Sequence, residues 1–243
     1  MHRRLGDTYR RYVAQAKTGR GRDEALRHAI GGEFEAFGIV ELEMLRYYGL
    51  QPEHSLIDVG CGSGRLAKPL ASYLRGPYLG TDVVPELVRY AQKLCGRPEW
   101  RFATVDGLTI PAIDTHADMV CFFSVFTHLL HEQSYRYLEE AKRVLKSGGR
   151  IVFSFLDFAV PAHWTVFEAT VEDARAGGEH PLNVFVDQTA IRAWALHLEL
   201  EVIEFRDGSD RFVPIPGVLL LDSGEALEGT ASLGQSICVL QRP

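Results

Sequence analysis

The chain holds only four cysteines in 243 residues, Cys61, Cys95, Cys121 and Cys238, with no CxxC pair and no zinc-type spacing. That excludes a disulfide scaffold and points to a reducing, cytoplasmic setting. No apolar run approaches the roughly 18 residues of a membrane span. The opening MHRRLGDTYRR carries too much charge for a secretory signal. Internal repeats and low-complexity tracts are also lacking, which removes collagen-like and disordered readings. Positive charge is in short supply, with 26 Lys and Arg against 32 Asp and Glu and a formal net charge of −6. This balance argues against a protein whose main work is coating nucleic acid. The deficit is uneven, because through His28 eight bases meet only three acids. That basic leading segment reads as a solvated helix face, with contact to an anionic substrate or cover over a site as the alternative.

What the chain does have is a folding composition, 46% hydrophobic and 10% aromatic. A chain of this length buries about 70–75% of its unfolded surface without covalent staples. Residues 5 to 50 read as helical, with breaks at TGRGR and Gly31-Gly32 and a stop before Gly49. From residue 55, short apolar runs alternate with amphipathic stretches of 10 to 15 residues, the rhythm of stacked βαβ units. Strands are expected at 55–59, 78–82, 101–105, 119–123 and 151–155. The helices between them present Leu66, Leu70 and Leu74, then Leu87, Val88, Ala91 and Leu94, then Tyr135, Leu138, Ala141 and Leu145. Residues 157–185 read as an insertion with some helix. Asp187 is an expected N-cap for a helix near 189–198, and strands follow at 201–205 and 236–240. The expectation is one domain over 1–243. Residues 1–50 form a helical extension or lid, 51–156 the ligand-binding half, 157–185 the insertion and 186–243 the rest of the sheet.

The most informative stretch is Asp58-Val-Gly-Cys-Gly-Ser-Gly64, which follows a strand and opens a helix. Glycines there let backbone turn sharply and approach a ligand with no Cβ in the way. Asp82 ends the second strand 22 residues after Gly60, where a carboxylate can accept from both hydroxyls of an adenosine ribose. A dinucleotide site wants GxGxxG, whereas here the third glycine comes one position early and Arg65 stands where the last would be. No Gly-Lys-Ser/Thr follows, so this is not a P-loop.

These residues, with four further stretches in order, resemble the class I S-adenosylmethionine (SAM)-dependent methyltransferases. LIDVGCGSGRLA, YLGTDVVPELVRYA, VDG at 105–107, ADMVCFFSVFTHLL and RVLKSGGRIVFSF carry the likeness over about residues 50–156. The pairing of SVFTHLL with RVLKSGGR, and the terminal GQSICVL, further resemble bacterial small-molecule enzymes. The resemblance implies an α/β, doubly wound, Rossmann-like and mostly parallel seven-stranded sheet with an antiparallel last strand. It implies SAM as cofactor and S-adenosylhomocysteine as product. It sets Gly60, Cys61 and Gly62 along the methionyl part and Asp58 at its amino group. Asp82 would take the ribose diol, Val83 would lie against the adenine, and Asp106 with Gly107 would meet the adenine amino group. The backbone near Phe123 would face the sulfonium, and Gly32 would close over the methionyl end.

Methyl transfer asks the protein mainly to place the acceptor in line and to exclude water. A base is required only when the acceptor must lose a proton. His128, after the fourth strand and with a pKa near neutrality, is the candidate; otherwise it merely orders its loop. His128 and His131 would need a third ligand to hold a metal, and none is expected. His163 and Asp157 lie where they could meet substrate. Phe-Ser-Val-Phe after the fourth strand is unlike the Asn-Pro-Pro-Tyr turn of DNA amino-methylating enzymes, and Cys121 lacks the Pro-Cys context of a cytosine-carbon nucleophile. The expected activity is methyl transfer to oxygen or nitrogen of a small molecule, with no membrane or nucleic-acid partner. Three rivals are a non-catalytic module for SAM or its product, an NAD-linked oxidoreductase, and an RNA methyltransferase using residues 1–28.

Overall fold

The computed structural model describes Leu26, Arg27, residues 33–177 and residues 183–243. Nine strands are found among them: β1 (Leu56–Val59), β2 (Tyr78–Asp82), β3 (Arg101–Thr104), β4 (Ala117–Phe122), β5 (Leu145–Phe155), β6 (Glu201–Arg206), β7 (Val213–Leu220), β8 (Ala226–Ala231) and β9 (Ser236–Gln241). Seven form one sheet in the order β3-β2-β1-β4-β5-β9-β6, and β7 with β8 form a separate pair. The pairs β1/β4, β2/β3 and β4/β5 are parallel, whereas β9 runs antiparallel to both β5 and β6. The expected mostly parallel sheet with an antiparallel last strand is therefore present. None of the described helices is long and apolar enough to cross a membrane.

The chain divides into two compact units. One comprises the described residues up to His54, Gly60–Gly107 and Arg211–Ser232. Its helices are α1 (Phe34–Tyr47), α2 (Ala67–Tyr73) and α3 (Pro85–Cys95). Helix α1 buries Phe34, Ala36, Val40, Met44 and Leu45 and stops at Gly49, whose φ of 92° suits glycine. Leu66, Leu70 and Leu74 are all buried, as their spacing of four predicts. Helix α3 starts with Pro85 at a position that needs no N–H and ends at the left-handed Gly96. Its inner face is Leu87, Val88, Ala91 and Cys95. Cys95 therefore replaces the expected Leu94, because the helix turns slightly less than a strict spacing of three.

The hairpin of β7 and β8 also lies in this unit and was not foreseen, because Pro214, Pro216 and Gly217 read as a loop. The strand accommodates them through an irregularity. Pro214 faces Thr230 and Val218 faces Glu228, so more residues lie on the β7 side than opposite. Gly217 sits there at φ 72°. A bulge on a two-stranded edge is where prolines lacking an N–H are tolerated.

The second unit comprises Ser55–Val59, Leu108–Asp210 and Leu233–Pro243. Its helices are α4 (His131–Val144), α5 (Pro161–Arg175) and α6 (Gln188–His197), and Phe126–His128 forms a single 3-10 turn. The core holds Phe122, Phe126, Phe153 and Phe155, all fully buried, with Phe126 4.9 Å from Phe122 and 4.8 Å from Phe153. Helix α4 buries Ser134, Tyr137, Leu138, Ala141 and Val144, so Tyr137 rather than Tyr135 faces inward. Asp187 caps α6 as expected, accepting from the Ala190 amide at 2.9 Å. Strand β5 begins earlier than residue 151. Leu145 pairs with Ala117 and Arg150 with Met119, so residues 146–149 loop out within the strand and Gly148 takes φ 76°. Helix α5 supplies the helix expected within 157–185. Expectations for residues before Leu26 and for Gly32 lie outside the described residues.

Candidate functional site

In the first unit the site is built around the end of β2. The amides of Gly60 and Cys61 both donate to the Thr81 carbonyl, at 2.7 and 2.9 Å. The Gly62 amide donates to Asp82 Oδ2 at 3.0 Å, and the Val84 amide to Asp82 Oδ1 at 2.8 Å. The Asp82 carbonyl accepts from the Val105 amide at 3.0 Å. One residue thus tethers the glycine loop, the entry to α3 and the turn at 105–107. Its side chain is buried, and both oxygens are oriented by backbone, although a carboxylate accepts about four bonds.

The glycines do different jobs. Gly60, Gly62 and Gly64 have φ of 79°, 53° and 90°, the left-handed region that side chains disfavour. A Cβ on Gly64 would also stand 3.1 Å from Cα and Cβ of Ala91. The loop leads into a helix of only seven residues, Ala67–Tyr73. Ser63, inside the loop, has a fully buried hydroxyl with no hydrogen-bond partner among the described residues. Bare backbone at three left-handed positions, an oriented carboxylate and an orphaned hydroxyl fit a polar ligand bearing hydroxyl and amino groups.

Val83 is half-buried and packs with Tyr90 against Leu26, Val84 and Leu87. Asp106 is exposed, and a Cβ on Gly107 would meet nothing within 4 Å among the described residues. These residues, with Gly60, Cys61, Gly62 and Asp82, belong to the same unit.

The second unit holds Asp58, Phe123 and His128. Asp58 is buried on β1, opposite Cys121 in the β1/β4 register, and accepts weakly from its thiol at 3.7 Å. Cys121 is a small buried residue of β4. Phe123 is buried just beyond β4 and precedes Ser124, which adopts φ 56°. That conformation is held by a network absent from the sequence reading. The Ser124 amide donates to Ser154 Oγ at 2.7 Å, Ser154 Oγ to Gln235 Oε1 at 2.7 Å, and Gln235 Nε2 to Ser124 Oγ at 3.1 Å. His128 ends the 3-10 turn, half-buried, with its amide bonded to the Val125 carbonyl at 3.0 Å.

His163 is turned into the protein rather than toward solvent. It is buried, its Nδ1 accepts from the Asp157 amide at 2.9 Å, and Nε2 faces the Gly234 carbonyl at 3.0 Å. Both ring nitrogens meet backbone groups, Nδ1 also lying 3.1 Å from the Asp157 carbonyl, and this gives the ring a structural role. The Asp157 side chain likewise caps its own turn, accepting from the Ala159 amide at 2.9 Å. His131 places Nε2 against the Phe185 carbonyl at 2.9 Å.

Sequence reasoning also missed the pair of Glu41 and Arg65, 2.5 Å apart, with Glu41 buried on α1 and Arg65 in the turn after the glycine loop. A Cβ on Gly38 would collide with the Arg65 carbonyl, so that glycine lets α1 lie against the loop backbone. Burial pushes the Glu41 carboxyl up, by more than Arg65 pulls it down. The sequence signal was a Glu inside an otherwise apolar stripe.

Comparison with known proteins adds three observations. Residues 57–153 match the family model described as a methyltransferase domain. An uncharacterized protein of Methanocaldococcus jannaschii is 31% identical over 118 residues, 48% of this chain and 51% of that protein, so the match spans about half the length of this curated relative. Solved structures share the fold. A chain in the complex between the Haloferax volcanii Trm112 methyltransferase activator and a methyltransferase aligns with TM-score 0.65 at 18% identity, covering 100% of both chains. Magnesium protoporphyrin IX methyltransferase from Synechocystis PCC 6803, with bound S-adenosylhomocysteine, aligns with TM-score 0.61 at 17% identity, covering 98% of this chain and 94% of that one. A SAM-dependent methyltransferase of Methanosarcina mazei aligns with TM-score 0.58 at 16% identity, covering 82% and 96%.

Proposed function

We propose that this chain, whose residues 57–153 match the family model described as a methyltransferase domain, is a class I SAM-dependent methyltransferase and transfers a methyl group to an oxygen or nitrogen of a small molecule. The observation that carries the reading is the triple tether on Asp82, which fixes a glycine loop, a carboxylate and the turn at 105–107 in one unit. When bound, SAM supplies a methyl already made electrophilic by its sulfonium. The chain's part is then to bind, orient and exclude water.

Asp82 would accept from the ribose hydroxyls, and Gly60, Cys61 and Gly62 would present backbone to the amino-acid end. Asp58 would hold the amino group. Val83 would lie on the adenine while Asp106, beside Gly107, accepts from its amino group. The Phe123 backbone would border the methyl. His128 would take the proton from an acceptor hydroxyl or ammonium, a step worth roughly 10²–10⁴ in rate.

The test is a calorimetric titration of the chain with S-adenosylhomocysteine and with NADH, followed by detection of released S-adenosylhomocysteine across a panel of small hydroxyl and amine acceptors. Heat with the first ligand and not the second, plus turnover on at least one acceptor, is expected. Cofactor binding with no turnover on any acceptor would favour a non-catalytic module. Heat with NADH alone would overturn the reading.

A further inference from the structure

Helix α5 buries only His163, yet its exposed side carries an aromatic cluster. Phe158 stacks on Phe185 at 4.6 Å and 20°, and Phe167 meets both edge-on, at 5.3 and 5.6 Å. Trp164 lies 5.0 Å from Phe167. Phe158 is 50% and Trp164 47% exposed, so the ring faces are not consumed by a core. Beside them Trp164, Phe167, Glu168, Val171, Glu172 and Arg175 make one continuous open face of α5.

The carboxylates in this wall are unequal. Glu172 is paired with Arg175, one turn along the helix. Glu168 accepts the Trp164 indole N–H at 2.9 Å and forms no ion pair among the described residues. A ring platform bounded by a carboxylate with no ion pair among the described residues is matched by an aromatic ring that bears an ammonium side chain. An anionic ligand would meet repulsion there.

The cluster is tied to the turn that ends in His128. The Val184 amide donates to the Thr127 carbonyl at 2.8 Å, and His131 bonds the Phe185 carbonyl. Leu156, next to the end of β5, bridges to Phe185. We propose that the Trp164–Phe167–Glu168 face binds an arylalkylamine as its ammonium ion, and that this is the class of methyl acceptor: the nitrogen gives its proton to the base proposed at His128, then forms an N–CH3 bond as the S–CH3 bond of SAM breaks, leaving S-adenosylhomocysteine. The acceptor half of the statement rests on the methyltransferase reading.

The full chain is titrated calorimetrically, with and without S-adenosylhomocysteine, using three probes. Tryptamine has ring and ammonium, indole-3-acetate has ring and carboxylate, and butylamine has ammonium alone. Tryptamine is expected to bind at least about tenfold more tightly than either of the others. Glu168→Gln keeps an acceptor for the Trp164 indole and removes the charge. It should cut tryptamine affinity about tenfold and leave indole-3-acetate no weaker. Trp164→Ala should weaken both ring-bearing probes. Equal affinities for the three probes overturn the proposal, as does loss of a dimer in Trp164→Ala without any tryptamine preference, which would assign the face to self-association. Tryptamine preference without S-adenosylhomocysteine binding would leave the amine site standing and sink the methyltransferase reading. The converse result would sink the amine site alone.

Discussion

Asp82 holds the amide of Gly62 on one carboxylate oxygen and that of Val84 on the other, at 3.0 and 2.8 Å. The group proposed to grip the cofactor's sugar is therefore also the peg on which the glycine loop hangs. Asp82→Ala should weaken S-adenosylhomocysteine binding by about 1–3 kcal/mol and lower the melting temperature of the free protein as well. Asp82→Asn keeps one acceptor oxygen and should recover part of the stability but little of the affinity. Calorimetry and thermal melts on both variants separate the two roles; an unchanged affinity in both removes the sugar contact.

Two glycines should behave oppositely. Gly64 combines φ 90° with a Cβ position 3.1 Å from Ala91, so Gly64→Ala should cost about 1–3 kcal/mol of stability by urea unfolding. At Gly107 a Cβ would meet nothing within 4 Å among the described residues, and Gly107→Ala should stay within about 0.5 kcal/mol of wild type. A weakened cofactor affinity in Gly107→Ala at unchanged stability would mark the turn as a binding element.

Glu41→Ala removes the buried counter-charge of Arg65 and should destabilise at the lower end of about 3–5 kcal/mol, because Arg65 keeps 12% exposure. The pH dependence has a definite sign. Burial raises the folded carboxyl above its ordinary value, so the folded state holds this proton more readily than the unfolded chain. Its contribution is full below the ordinary value and is lost as pH rises through the raised one. Wild type should therefore gain stability relative to Glu41→Gln as pH is lowered from 8 toward 5, by urea unfolding at each pH. A relative loss of stability would show Arg65 outweighing burial.

His128→Ala should slow methyl transfer by about 10²–10⁴-fold with cofactor affinity intact. His163→Ala should instead strip partners from the Asp157 amide and the Gly234 carbonyl and destabilise by about 1–3 kcal/mol. Single-turnover rates and thermal melts distinguish them, and a His128→Ala enzyme at full speed would demote that residue to loop structure.

The alternation of strand and helix was legible because burial on both faces leaves local marks, such as the unbroken run Val120–Phe122 and the spacing of Leu66, Leu70 and Leu74. Asp82 was legible because a strand end and a glycine turn have fixed separation in sequence. The hairpin was not, since Pro214 and Pro216 mask a strand whose ladder bends around them. Nor was the Ser124–Gln235 bond, which joins residues 111 apart and leaves no periodic trace. The pairing of Glu41 with Arg65 links a helix to a turn, and only the tertiary fold sets that distance.

All four thiols of the chain are shut inside the protein, and burial pushes that of Cys238 well up. Cys61 sits in the glycine loop, Cys95 ends a helix, and Cys121 and Cys238 lie in strands. Native protein should thus stay dark to a thiol-reactive dye, and each sulfur becomes a clock for the opening of its own neighbourhood. Ligand that clamps the loop would stop the first clock and leave the others running.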